Sequence, residues 1–226
     1  MKLITVSSKV VIFITADELN PQGRLSWKDI TDALEVSYGF NTVPKTYEDF
    51  TKPGGAEFRL GRVADIELTK LTLYSNAIEL VIQDGADMAD KVLRDLLVWG
   101  ATIGLQTIDD APRTKWYVSE LTFRTDIVLD GLHPALRRLA DEVSAAVAQL
   151  FTHSGRYETT GVMLNFDDAN LRLPPGAFRL ERKAGGVPFS EKRYWSTAPM
   201  RTEQHIELLQ NFEDALLQKG AATKKA

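Results

Sequence analysis

Residues 53–62 read PGGAEFRLGR and residues 174–182 read PPGAFRLER, so two distant stretches carry similar sequence. In each, a proline–glycine turn precedes a run in which apolar and charged residues alternate, which is typical of a β-strand that begins after a turn. A double leucine begins at Leu96 and another at Leu216, 38 residues beyond Phe58 and Phe178 respectively. These matches predict an internal duplication.

Hydrophobic periodicity predicts the same order of elements on both sides: a strand, a helix, two or three antiparallel strands and a second helix. In the first half these elements are expected at 9–15, 26–38, 57–84 and 86–103. In the second half they are expected at 115–124, at 134–152, at 157–167, 177–183 and 187–195, and at 202–218. The helices are expected to lay apolar stripes on the sheet; in those at 86–103 and 134–152 the stripes are Met88, Val92, Leu96 and Leu97, and Leu136, Leu139, Val143, Val147 and Leu150. We therefore predict an α+β fold in which two similar units, 1–112 and 113–219, pack as one compact body, followed by a flexible tail at 220–226.

Composition excludes several classes of protein. Of 226 residues, 44% are hydrophobic and 26% are charged, which is typical of a globular protein rather than a disordered one. The chain has no cysteine, so disulfides, thiol catalysis and cysteine-bound metals are excluded. The apolar run Val10–Ile14 is too short for a secretory signal, and no run approaches the ~18 residues that span a bilayer. We expect a cytoplasmic protein with no membrane segment.

Charge is unevenly distributed along the chain. Residues 1–112 carry 11 basic and 17 acidic side chains, whereas residues 113–226 carry 16 and 14. Within 172–201 there are seven basic and two acidic side chains. Such a patch could attract phosphates, so a nucleic-acid or nucleotide binder is one hypothesis, although a duplex-binding protein is normally basic overall.

The repeated FRLxR run suggests an anion site. Alternation places Phe58 and Leu60 on one strand face and Arg59 on the other, and the same holds for 178–180. Two arginine pairs could grip an anionic ligand; these are Arg59, Arg62, Arg179 and Arg182. The alternative is that these arginines cover apolar surface with their stems and deter edge pairing.

Basic and aromatic residues are adjacent in the segment that ends at residue 195. Lys192, Arg193, Tyr194 and Trp195 follow one another. They could stack on bases, or anchor a protein interface, where such residue types dominate the binding energy. They could equally be core aromatics with a charged outer face.

A nuclease is the most specific enzymatic alternative. Asp167 or Asp168 ends one predicted strand, and Glu181 and Lys183 share a face of the next. An acid followed by E-x-K on the partner strand resembles the PD-(D/E)xK nuclease pattern. That resemblance implies Mg²⁺ held by Asp168 and Glu181, with Lys183 orienting the attacking water. No proline precedes the aspartates, and three scattered histidines predict no other metal site.

The preferred hypothesis is a non-catalytic binding or assembly protein without a cofactor, acting through homo-oligomerisation or a partner protein. It follows from the lack of a strong catalytic motif and from the aromatic–arginine segment at 187–195, which we expect at an interface. The alternatives are the Mg²⁺-dependent nuclease and the nucleic-acid binder.

Overall fold

The computed structural model describes residues 1–110, 113–127, 129, 132–150, 155–167, 175–183 and 188–223. Its strands are β1 (Lys2–Ile12), β2 (Ala56–Val63), β3 (Ile66–Leu73), β4 (Ile78–Ile82), β5 (Lys115–Arg124), β6 (Gly161–Leu164), β7 (Phe178–Arg182) and β8 (Arg193–Ala198). Its helices are α1 (Ala16–Leu19), α2 (Trp27–Tyr38), α3 (Glu48–Thr51), α4 (Ala86–Thr102), α5 (Pro134–Ala148) and α6 (Thr202–Thr223). The predicted combination of helices with an antiparallel sheet is confirmed.

The eight strands form one sheet in the order β2-β3-β4-β1-β5-β8-β7-β6. The β1–β4, β2–β3, β3–β4, β6–β7 and β7–β8 ladders are antiparallel. Strands β2 and β6 are the two edges, where one side of each backbone is left for other partners. The β2 edge is covered in part, because Arg59 and Thr42 form a bridge in which the Arg59 N–H donates to the Thr42 carbonyl at 3.0 Å.

The chain divides into two units. The amino-terminal unit comprises Val6–Glu120 and Pro199–Glu203, and the carboxy-terminal unit comprises Met1–Thr5, Leu121–Ala198 and Gln204–Ala226. By these bounds, the first residues of β1, up to Thr5, and the last residues of β5, from Leu121, belong to the carboxy-terminal unit.

The amino-terminal unit is built around one face of its strands. Val10, Phe58 and Leu80 are fully buried on that face, and the α4 stripe that includes Val92 and Leu93 belongs to the same core. Burying each such side chain contributes about 1.5–3 kcal/mol to the free energy of folding. The predicted amphipathic stripe of the helix at 86–103 is therefore confirmed as a packing face.

Local sequence fixes where α2 begins and ends. The Ser26 hydroxyl accepts from the Asp29 N–H at 3.2 Å, and the Asp29 carboxylate accepts from the Ser26 N–H at 2.8 Å. This reciprocal arrangement is a capping box. Gly39 closes the helix at φ +59°, a left-handed conformation that glycine adopts without strain.

The carboxy-terminal unit has its own buried cluster. Leu180 and Tyr194, from β7 and β8, are almost completely buried, as are Phe123 of β5 and Leu209 of α6. The Phe123 and Tyr194 rings stack with their centroids 6.0 Å apart. The predicted strands at 177–183 and 187–195 correspond to β7 and to a later strand, β8, preceded by a 3₁₀ turn at Phe189–Glu191.

The two FRLxR runs do not occupy equivalent strands. The first lies in β2, the first of three successive strands, and the second lies in β7, the second of three. Leu60 has φ +56° and is exposed, whereas Leu180 is buried. The prediction that Phe58 and Leu60 share a face is wrong, because the left-handed residue shifts the alternation by one, and Gly61 is buried in its place.

Among the residues that the structure describes, no helix is both long enough and apolar enough to cross a bilayer.

Candidate interaction surface

Helix α5 leaves its apolar stripe exposed. Pro134 begins the helix, and the His133 ring accepts from the Ala135 N–H at 3.1 Å, so the predicted start is confirmed. Ala140 is the only residue of α5 that is buried. Leu139 is 57% exposed and Leu136 is 39% exposed, and Leu150, just beyond the helix, is 78% exposed. The stripe predicted by spacing exists, but little of it packs against the described part of the chain.

A second group of exposed apolar side chains lies on and beside β6. Met163 and Leu164 are 55% and 60% exposed, and Tyr157 and Phe166 are exposed to a similar extent. Strand β6 is the last in the sheet, and its ladder is with β7 only. Among the described residues, the outer side of β6 has no ladder partner, so a sheet edge and large apolar side chains occur together, a combination that proteins normally avoid.

Hydrogen bonds place the segment that leads into β6 against α5. The Tyr157 N–H donates to the Ser144 hydroxyl at 2.8 Å, and that hydroxyl donates to the Ala140 carbonyl at 2.6 Å. Arg156 forms an ion pair with Asp141 of α5 at 3.2 Å. The exposed stripe of α5 and the exposed residues around β6 are therefore parts of one region, which we call the α5–β6 surface and define by residues 136–150 and 157–166.

Charged pairs accompany the apolar side chains of this surface. Arg138 and Glu142 pair along α5 at 2.9 Å, and Arg182 pairs with Glu158 at 2.6 Å. Apolar patches accompanied by polar residues are the usual composition of a protein–protein contact. Basic and acidic side chains are already neutralised in pairs, so the α5–β6 surface suits an uncharged or self-complementary partner better than a polyanion.

Tyr194 cannot serve as the binding residue that the sequence suggests. It is 1% exposed, and its hydroxyl donates to the Ile127 carbonyl at 3.1 Å. Alternation along β8 buries Tyr194, Ser196 and Ala198 and leaves Arg193 and Trp195 half-buried on the other face. The hypothesis that Tyr194 and Trp195 act together on one ligand is therefore wrong.

The basic residues predicted to bind an anion are divided between the two units. Arg59 and Arg62 are exposed on β2 of the amino-terminal unit, and Arg59 pairs with Glu57. In the carboxy-terminal unit Arg179 is exposed, whereas Arg193 pairs with Glu191 at 3.0 Å. Lys192 pairs with Asp126 at 2.8 Å. Most of these cations are thus already paired with a carboxylate of the same chain. Part of the basic patch at 172–201 lies outside the described residues.

The residues of the nuclease hypothesis can be followed only in part. Asp168 lies outside the described residues. Glu181 is exposed on β7 opposite Gly161 and Trp195, and Lys183 is exposed just after that strand. Within the described part of the chain, no group of three histidine, aspartate or glutamate side chains is placed to hold a metal ion.

Sequence reasoning identified the α5 stripe but assigned it to the core. The spacing of Leu136, Leu139 and Val143 shows that the helix has an apolar face, and it contains no signal for what covers that face. The exposed residues around β6 were expected in a strand at 157–167, of which only four residues are extended in a ladder.

Comparisons with known proteins leave the question of function to the geometry. A scan against models of protein families finds no match, and a search of curated proteins also finds none.

Proposed function

We propose that the protein is a non-catalytic assembly protein that forms homodimers through the α5–β6 surface. The observation that carries the proposal is the exposure of several large apolar side chains on α5 and around the edge strand β6. Burying apolar area releases about 25 cal/mol per Å². A second copy of the chain is the simplest partner, because it carries the same apolar surface.

The edge strand favours a twofold arrangement. An antiparallel ladder is symmetric under a twofold axis perpendicular to the sheet, so β6 can pair with β6 of a second copy. Such pairing would give a partner strand to the outer side of Gly161–Leu164, which has no ladder within the described part of the chain, and would extend the sheet. The segment that leads into β6 contacts α5 through the hydrogen bond from the Tyr157 N–H to the Ser144 hydroxyl, so we expect the same axis to bring the two α5 helices near each other.

Sedimentation of matched variants tests the proposal. The native chain is expected to show a concentration-dependent dimer, and Leu139→Glu is expected to sediment as a folded monomer because it places a charge in the apolar contact. Val98→Glu, at a similarly exposed position (61%) on α4 of the amino-terminal unit, serves as the control and should still form dimers.

Two results contradict the proposal. One is a native chain that is monomeric over the whole range of micromolar concentrations. The other is a Leu139→Glu variant that forms dimers as strongly as the native chain. Circular dichroism of each variant establishes that it is folded.

We further propose that the two halves arose by internal duplication. Apart from the four-residue helices α1 and α3, each half has the order strand, helix, three strands, helix, and in each the first strand neighbours the fourth: β2-β3-β4-β1 in one and β6-β7-β8-β5 in the other. This shared strand order supports the duplication, whereas the FRLxR match does not, because those runs lie on non-equivalent strands.

The nuclease and nucleic-acid alternatives have less support. Glu181 is exposed on β7 and Lys183 is exposed just after it, and most of the described arginines of the basic patch are paired with carboxylates. Cleavage of plasmid by the native chain in Mg²⁺, lost in Glu181→Ala, would support the nuclease hypothesis. Binding to oligonucleotides that weakens steeply with salt would support the nucleic-acid hypothesis.

A further inference from the structure

The amino-terminal unit contains a cavity of about 460 Å³ that neither its packing nor the proposed assembly uses. Its inner end is formed by buried core residues of β3, β4 and α4, among them Leu71, Ile78 and Leu93. Residues of α1, α2 and α3 and of the adjoining loops form the rest of the lining. The cavity is therefore an interruption of the packing between the sheet and its covering helices, and it extends from the core to the surface.

The size and the lining of the cavity are those of a small-molecule site. Sites that bind drug-sized organic ligands enclose about 300–1,000 Å³ and are lined mainly by apolar and aromatic groups. Here the lining includes the rings of Trp27, Phe50 and Trp99. The Trp27 and Phe50 rings are in contact, with centroids 5.5 Å apart, and the Trp99 indole is fixed by a 3.0 Å hydrogen bond to the Ser37 hydroxyl.

The charge of the lining restricts the ligand further. Asp17 is the one charged residue among the described residues that line the cavity, and it is exposed, so it lies at the mouth. Tyr47, also in the lining, is 59% exposed and adds an aromatic face at the surface. A carboxylate together with aromatic faces attracts an organic cation and repels an anion. The acidic excess of residues 1–112 acts in the same direction.

We propose that this cavity binds a small organic cation whose apolar ring or chain enters between the sheet and the helices while its ammonium group stays at the mouth beside Asp17. The apolar part supplies most of the affinity, because burial of ring and methylene surface is the main favourable contribution in a site of this composition. Asp17 supplies the preference for positive charge.

Calorimetric titration with three matched probes tests the proposal: 4-phenylbutylamine, 4-phenylbutan-1-ol and 4-phenylbutanoate share one apolar body and differ in the head group. We expect the amine to bind about three- to fivefold more tightly than the alcohol, as an ion pair at the surface would produce, and the carboxylate to bind most weakly. Asp17→Asn should abolish the difference between amine and alcohol and leave the affinity for the alcohol unchanged.

Two further variants define the control and the location. Asp65→Asn changes an exposed aspartate in the turn between β2 and β3, away from the lining, and should bind all three probes as the native chain does. Ser75→Trp places a large side chain at an exposed position in the lining and should weaken all three probes at least tenfold. Thr51→Trp, at another exposed lining position, replaces it if Ser75→Trp does not fold.

Three results overturn the proposal: no binding of any probe at millimolar concentration, equal or tighter binding of the carboxylate than of the amine, or an Asp17→Asn variant that keeps the preference for the amine. None of these results bears on assembly, which is read from sedimentation and depends on residues of the other unit.

Discussion

His205 is a fully buried titratable group in the carboxy-terminal unit, and its protonation makes the free energy of unfolding depend on pH. The Ser196 hydroxyl donates to the Arg179 carbonyl at 2.7 Å, so it accepts from the His205 Nε2–H, which is 2.8 Å away. Burial lowers the pKa of His205 to about 4. The ring is therefore neutral in the folded protein at a pH where the unfolded chain would already be protonated.

The first prediction concerns pH. Between the unfolded pKa near 6.5 and the folded pKa near 4, only the unfolded chain binds this proton, so the free energy of unfolding falls as pH falls. The slope is about 1.4 kcal/mol per pH unit, or roughly 3 kcal/mol over the interval. Urea unfolding as a function of pH should lose this slope in His205→Gln and keep it in His133→Asn, which changes an exposed histidine. An unchanged slope in His205→Gln would refute the assignment.

Asp90 joins three side chains in the amino-terminal unit. Its carboxylate accepts from Arg201 at 2.8 Å, from the Tyr117 hydroxyl at 2.9 Å and from Lys115 at 3.2 Å. Burial raises the pKa of Asp90, but these hydrogen bonds more than offset that effect, so the pKa lies below its usual value. Its stabilising contribution is present above the unfolded pKa and is lost as pH falls through the folded one.

The second prediction is that Asp90→Ala lowers the free energy of unfolding by about 1–3 kcal/mol, because the Tyr117 hydroxyl loses its acceptor while Lys115 and Arg201 each lose one of two carboxylates and keep Asp110 and Asp87. Asp32→Ala, which removes the exposed pair with Lys28, should cost about 0.5 kcal/mol or less. Chemical denaturation measures both. A similar small cost for the two variants would show that the contacts of Asp90 contribute little.

At the scale of elements, α4 and α5 have similar sequence patterns and different surroundings. Both predicted stripes exist, but Leu93 of α4 is fully buried and Leu139 of α5 is 57% exposed. Periodicity therefore predicted the helices and their apolar faces, together with β5 at 115–124, and it could not predict what covers each face. The start of β1 was missed for a similar reason. The strand begins at Lys2, seven residues before the predicted start, and its exposed residues Lys2–Thr5 show no apolar alternation.

Two further differences between expectation and structure have local causes. The short helices α1 and α3 span four residues each, too few for a periodic signal. The segments 58–62 and 178–182 are similar in sequence and differ in backbone conformation. Leu60 adopts a left-handed φ, which sequence similarity cannot reveal. The α5–β6 surface was missed for a related reason, since exposure is a property of the folded chain.

The third prediction compares the two helices. Leu93→Ala should lower the free energy of unfolding by about 3 kcal/mol, because it leaves a cavity in a packed core. Leu139→Ala should lower the free energy of unfolding of the monomer by less than about 1 kcal/mol, because its side chain is exposed there. Equilibrium unfolding at low protein concentration measures both, and a large loss in Leu139→Ala would mean that α5 packs against its own chain.

At the scale of the whole molecule, the two units differ in the apolar surface that they leave accessible. The amino-terminal unit contributes a closed core with a cavity, and the carboxy-terminal unit contributes the exposed α5–β6 surface. The predicted boundary between residues 112 and 113 stays a prediction. The absence of cysteine from the sequence gives a direct means of testing the surface, because any single introduced thiol is the only one in the chain.

Disulfide formation by Met163→Cys is the sharpest test of assembly through β6. If β6 pairs with its copy across a twofold axis, the two introduced thiols approach each other, and mild oxidation should give a covalent dimer within minutes on a non-reducing gel. Val98→Cys, at a comparably exposed position on α4, should remain largely monomeric under the same conditions. Cross-linking of Met163→Cys that is no faster than that of Val98→Cys would contradict assembly through β6.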